Sequence, residues 1–327
     1  MTARTAWTLA VAVLLPAATP AAEPKPPQHV LEGDGLKLTL YLPDAKTGYY
    51  RGTRFDWSGI VATAQTGGHT VFGYWKDTHN PANHDDVPGT AEEFSHDEPL
   101  GYAEAAVGGT FVKIGVGVLE KPAESKYRFF NNYKIVQPGG WDVKAGDKSV
   151  EFRQELAHPS GYGYRYAKAV RLLGPGAFAI ERTLTNTGTR RLTTDHYGHH
   201  FLTVDGDPIG PNYALRFAFP ARAKSPEGLR DVAAVRDSRL VFLKPLVRGD
   251  VQSQIVGWGD RAEDNRVTVE HARSGLALRV VNDRPLAKFN VWSVRTTLCP
   301  EPFVALDLEP GRSVSWATRY EFELPHK

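Results

Sequence analysis

The sequence predicts an all-β protein built as a large antiparallel β-sandwich of two layered sheets. Three observations carry this. Helical periodicity is nearly absent. Short runs rich in Val, Ile, Thr, Tyr and Phe recur along the chain, and 31 Gly and 23 Pro in 327 residues punctuate them. No short repeat and no linker divides the chain, so a single domain is predicted over residues 23–327.

The elements follow in order. Arg4, the apolar run Ala6–Leu15 and the small residues of Pro16–Ala22 form the pattern of an export signal. Residues 1–22 are therefore read as a signal peptide, and a periplasmic or secreted protein is expected. The run is too short to span a bilayer as a helix, and no membrane span is expected. Leu36–Leu42 alternates with its leucines on one face. Gly67–Leu100 is polar, carries His69, His79, His84 and His96, and reads as a long loop of the kind that is often functional. Thr110–Leu119 is predicted to be one strand. Val150–Leu156, Tyr162–Leu173 and Ala177–Asn186 form a meander. Leu240–Pro245, Ser253–Trp258, Val267–His271 and Leu276–Asn282 continue it, and Phe289–Arg295 and Ser313–Glu323 close the chain. The segment Val291–Phe303 reads as a strand running into a turn at Pro300-Glu301-Pro302.

Charged residues make up 23% of the chain and the formal net charge is +2, with no basic run, so a nucleic-acid surface is not expected. The single cysteine, Cys299, leaves no intramolecular disulfide and reads as a buried small apolar residue. Three of the 11 histidines fall within five residues, in Asp195-His196-Tyr197-Gly198-His199-His200-Phe201. Histidine changes charge near neutral pH, so such a cluster is a candidate proton-transfer or ligand site. On a strand, Tyr197, His199 and Phe201 share one face, while His196, Gly198 and His200 share the other. Neighbours that point apart do not chelate one ion well, and no metal is expected.

Several motifs resemble aldose 1-epimerases. Gly48–Gly59, Gly89–Phe94 and Gly109–Val118 are similar to the N-terminal signatures of that family. Tyr197-Gly198-His199-His200-Phe201 resembles its central histidine strand, and Leu308–Trp316 its closing strand. The resemblance covers nearly the whole of residues 23–327. It implies the galactose mutarotase-like β-supersandwich, a sugar or glycan as partner, no cofactor, and interconversion of sugar anomers by acid–base catalysis. One group takes the proton of the anomeric hydroxyl and another protonates the ring oxygen.

The family's Asn-His pattern aligns with Gly198-His199, which makes His199 the general acid, with glycine standing where the family has asparagine. Its late glutamate aligns with Glu301, ahead of Pro310-Gly311, as the general base. The prolines on either side of Glu301 restrict where its carboxylate points. His200, Arg54, Asp56, Glu93 and Lys113 are candidate sugar binders, with a buried Arg54–Asp56 pair as the structural alternative. His196 reads as structural, and Trp141, Trp258 and Trp292 are candidate stacking platforms. Two other classes fit the same fold: a non-catalytic carbohydrate-binding protein, and a polysaccharide lyase or glycosidase.

Overall fold

Leu36, Leu38 and Leu40 are all buried, and their alternation with Lys37 and Thr39 places one face of their strand on the core. The same two-residue period builds the rest of the molecule. The structure is a computed structural model that describes residues 25–325. The predicted signal segment lies outside the described residues. Among them there are 23 strands, two short 3₁₀ turns and no α-helix. No helix of the described residues is long and apolar enough to cross a membrane.

The largest sheet has ten antiparallel strands. Across it run Ala233–Arg236, Arg239–Phe242, Tyr213–Phe217, Arg266–His271, Leu276–Asn282, Ser313–Glu323, Ala177–Asn186, Gly163–Gly174, Ser149–Ala157 and Trp141–Ala145. The second sheet has six: Arg222–Ala223, Val251–Val256, Lys288–Val294, Thr297–Leu308, Leu192–Phe201 and Gly89–Phe94. Side chains from both sheets fill common cores. Phe152, Val170 and Ile180 of the larger sheet meet Val251, Ile255 and Phe289 of the smaller. Tyr164, Tyr166 and Trp316 meet Phe94, Leu192 and Val304. This is the predicted sandwich. A four-stranded sheet from the N-terminal segment and a three-stranded sheet complete the fold. A third core, with Tyr50, Phe55, Trp57, Phe201 and Cys299, covers part of the outer face of the six-stranded sheet.

Three local expectations are corrected. Thr110–Leu119 is a hairpin of Thr110–Lys113 and Gly117–Glu120, because Gly115 and Gly117 take positive φ and turn the chain. Within the segment read as a loop, His69–Val71 and Gly89–Phe94 are strands, and the latter is buried at all six positions.

The third correction concerns Pro300-Glu301-Pro302, which is not a turn but the middle of the strand Thr297–Leu308. Even-numbered residues there direct their backbone groups toward Leu192–Phe201, as the paired bonds between Leu298 and Leu202 show. The ladder between those strands runs from Leu192↔Leu308 to Tyr197↔Phe303 and is then interrupted. The prolines sit in that gap, where no partner needs their missing N–H. Cys299 and Glu301 keep their register with Trp292 and Asn290 on the other side.

Candidate active site

The gap in the ladder is filled by a side chain. His200 points between the two large sheets, where its Nδ1 donates to Pro300 O at 2.8 Å. Its Nε2 then accepts from the Tyr320 hydroxyl at 2.9 Å, which fixes the neutral tautomer. Burial pushes its pKa down to about 4. Gly198 makes room for this ring on the same face. A Cβ at 198 meets His200 Cε1 at 2.7 Å, so a side chain there is excluded while His200 is held at both nitrogens. The glycine that departs from the resemblance thus has a local cause. Gly198→Ala is expected to cost roughly 1–3 kcal/mol of stability by overpacking. Urea denaturation checks this, and an unchanged midpoint contradicts it.

The opposite face of the same strand opens into a cleft of about 660 Å³. Its lining includes His199, Glu301, Arg54, His96, Asn290 and Trp292. His199 Nε2 lies 3.2 Å from Glu301 Oε1, and both side chains are almost fully buried. The His199 ring stacks on Phe201 at 4.3 Å between centroids, and Phe201 stacks on Trp75 at 5.3 Å. Phe55 meets it edge-on at 5.5 Å. These rings hold the imidazole by packing. His199 Nδ1 is buried and has no hydrogen-bond partner among the described residues.

Burial dominates both members of the pair. It raises Glu301 to about 7, against the nearby Arg54 and His96 charges, and the Asn290 amide also works against the rise. It holds His199 well below the ordinary histidine value, and Arg54 adds to that. A neutral imidazole therefore faces a carboxyl that titrates near neutrality.

Behind the pair, the adjacent carboxylates Glu92 and Glu93 point to opposite faces of their strand. Glu93 faces the cleft side but does not line the cleft. It takes Arg54 Nε at 2.9 Å and Lys113 Nζ at 2.9 Å, and His96 Nδ1 lies 3.3 Å from it. Burial opposes its charge, but Lys113 and then Arg54 outweigh burial and hold its carboxyl well below the usual range. Arg54 also donates to the Tyr197 hydroxyl at 2.9 Å and lies over the Phe55 and Phe129 rings. Glu92 faces the sandwich interior. There it meets Arg182 Nε at 3.0 Å and Lys168 Nζ at 2.8 Å, with His196 at 3.7 Å. Trp316 Nε1 donates to His196 Nδ1 at 3.2 Å, so the His196 Nε2 carries the proton.

The structure therefore brings together His199, Glu301 and Arg54 and leaves four other candidate binders outside the cleft. His200 is sealed between the sheets. Asp56 is buried against Lys168 at 3.2 Å, Tyr166 and Ser58, and it does not pair with Arg54. Glu93 is spent on Lys113 and Arg54, and Lys113 on Glu93 and the Ser95 carbonyl. Each is placed by a buried partner far away in sequence. Of the tryptophans, Trp292 lines the cleft, while Trp141 and Trp258 pack against the larger core. His84 and His96 also line the cleft. Their only sequence signal is their place in the histidine-bearing polar segment. Ser95, at φ 54°, turns the chain where the strand ends, and His96 N then bonds Asp195 Oδ1 at 3.0 Å.

The β-supersandwich of this chain defines a structural class, and solved structures share its fold. The Slr1438 protein of Synechocystis sp. PCC 6803 is similar over 94% of this chain and 100% of its own, with TM-score 0.62 and 13% identity. A galactose mutarotase-like protein from Clostridium acetobutylicum is similar over 90% and 95%, with TM-score 0.55 and 12% identity. An aldose epimerase homologue from C. elegans is similar over 92% and 100%, with TM-score 0.51 and 11% identity. The chain has the galactose mutarotase-like fold that the sequence resemblance implies. No protein-family model matches the chain, and no curated protein matches it either.

Proposed function

We propose that this chain is an aldose 1-epimerase-like isomerase that interconverts the α and β anomers of a free sugar, with Glu301 and His199 exchanging the protons. The observation that supports it is the 3.2 Å contact between two buried groups of opposite acid–base character at the floor of an open cleft.

Ring opening removes the proton of the anomeric hydroxyl, breaks the bond between C1 and the ring oxygen, and delivers a proton to that oxygen. The carbonyl at C1 then rotates about C1–C2, and closure reverses the steps. Net, no proton is gained or lost. A pair that carries one dissociable proton suits this, because one member accepts while the other donates. Below about pH 7 the Glu301–His199 pair holds one such proton, on Glu301. On opening, Glu301 gives it to the ring oxygen while His199 takes the hydroxyl proton, the reverse of the roles the resemblance implies, and closure restores both. Closure of the other anomer runs the same transfers in the opposite sense, so each residue serves as acid and as base. Arg54, held by Glu93 and Tyr197, lines the cleft where it can hold a sugar hydroxyl by charge-assisted hydrogen bonds.

The pH dependence follows from the two shifts. As pH rises through about 7, Glu301 ionises, the pair loses its shared proton, and kcat/KM falls. As pH drops below 6.5, the rate holds until His199 protonates, which burial delays. Exchange NMR on α-glucose between pH 4.5 and 9 checks this. A rate that keeps climbing above pH 8 contradicts a protonated pair.

We also propose export, on the pattern of residues 1–22. Mass spectrometry of protein recovered outside the cytoplasm is expected to find a mature chain that starts near Glu23. An intact Met1 in that fraction contradicts it.

A further inference from the structure

The cleft does not end at the acid–base pair, and its extension has a regular construction. Register places Glu301 opposite Asn290, and Asn290 opposite Gln254. Lys224 N bonds Gln254 O at 2.8 Å, which brings the chain at Ser225 to the end of the same row. Neighbouring strands lie about 4.8 Å apart, so Gln254 sits roughly 10 Å from Glu301 across the sheet. A second row, two residues along, runs from Cys299 to Trp292 to Gln252. Burial alternates along both outer strands, with Asn290, Trp292, Gln252 and Gln254 on the open face.

The outer end is closed by the 3₁₀ turn Pro226–Leu229. Gly228 packs so tightly on Gln252 O that any Cβ there collides with it, which sets the turn against the sheet and Glu227 at the rim. Glu227 and Ser225 line the cleft together with the two glutamines.

We infer that this row is a second glycosyl subsite, and that the preferred substrate is the reducing end of a neutral di- or oligosaccharide. The inference rests on the function proposed above and names its substrate class. Seated with its anomeric carbon on Glu301 and His199, a single pyranose ring leaves the Gln252–Gln254–Glu227 end empty. Amides and a carboxylate pair naturally with vicinal hydroxyls, and the Trp292 ring, beside the row, offers an apolar face to a sugar ring. Charge favours a neutral glycan. Among the described residues Arg54 is the only Arg or Lys side chain lining the cleft, and Glu93 pairs with it, so an anionic second ring finds no unpaired Lys or Arg among them and meets Glu227.

The test compares anomerisation of α-glucose with that of freshly dissolved maltose, cellobiose and lactose, using wild type and a Gln254→Ala/Glu227→Ala variant. Wild type is expected to show a higher kcat/KM for at least one disaccharide than for glucose. The variant is expected to lose roughly tenfold on that disaccharide through KM, the worth of one or two hydrogen bonds, and far less on glucose. No disaccharide preference, or parallel losses on both sugars, overturns the subsite while leaving the anomerase reading intact. If no sugar is anomerised, that reading fails instead, and calorimetric titration with the three disaccharides decides the subsite. Binding that weakens in the variant supports it, and absence of binding to wild type overturns it.

Discussion

Glu301→Gln is expected to lose about 10²–10⁴-fold in anomerisation rate, the usual contribution of a positioned acid–base group. The amide keeps the size and the hydrogen-bond reach of the side chain but neither takes up nor releases a proton. His199 then has no partner for the one-proton exchange. The fold should survive. Glu301 has a pKa raised above its unfolded value by burial, so its neutral form contributes stability that is present below about 4.5 and is lost as pH rises through about 7. A neutral glutamine avoids that loss. The variant should therefore match wild type in stability at pH 4 to 5 and equal or exceed it at pH 8. Loss of activity with this stability pattern assigns the defect to chemistry. A variant that is inactive and also less stable at pH 8 points to packing instead.

The largest stability effect is expected one strand away from the chemistry. Glu92→Gln removes the carboxylate that Arg182 and Lys168 share inside the sandwich, which leaves the buried Arg182 without a counter-charge and Lys168 with Asp56 alone. Breaking a buried pair in this way costs about 3–5 kcal/mol, a large part of a domain's stability. The sign of the pH effect is fixed by the same group. Burial opposes the Glu92 charge, but Arg182 and then Lys168 outweigh burial and hold its pKa well below 4.5. Its contribution is present above 4.5 and is lost as pH falls toward the folded value. Wild type should lose stability on acidification over that range, and the variant should show a shallower acid limb from a lower plateau. Guanidinium denaturation between pH 3 and 8 measures both. A loss under 1 kcal/mol means that Arg182 and Lys168 find other partners or water.

How much of this was readable in the sequence depends on how local the cause is. Ala177–Asn186, Leu276–Asn282 and Ser313–Glu323 form the strands expected of them, because alternation and turn residues act within a few positions. Gly89–Phe94 was hidden. Two adjacent glutamates do not look like a buried strand, and their partners Arg182, Lys168, Arg54 and Lys113 come from four distant segments. Pro300 and Pro302 looked like a turn because the interruption of the neighbouring ladder that tolerates them is a tertiary fact. In the site, strand parity separated His199 from His200 correctly. Which face opens to solvent is not encoded nearby: the sequence leaves His200 a candidate sugar contact, and the fold seals it between the sheets. Arg54 and Asp56, two residues apart, suggest a pair in sequence but serve Glu93 and Lys168 in separate networks.

The central claim is that the His199–Glu301 pair makes this chain an anomerase. The most direct measurement is exchange NMR or polarimetry on freshly dissolved α-glucose and α-galactose with the purified wild-type chain near pH 6.5. The account predicts anomerisation well above the buffer rate, growing in proportion to protein concentration. A rate no different from buffer across a broad panel of free aldoses and reducing disaccharides would contradict it.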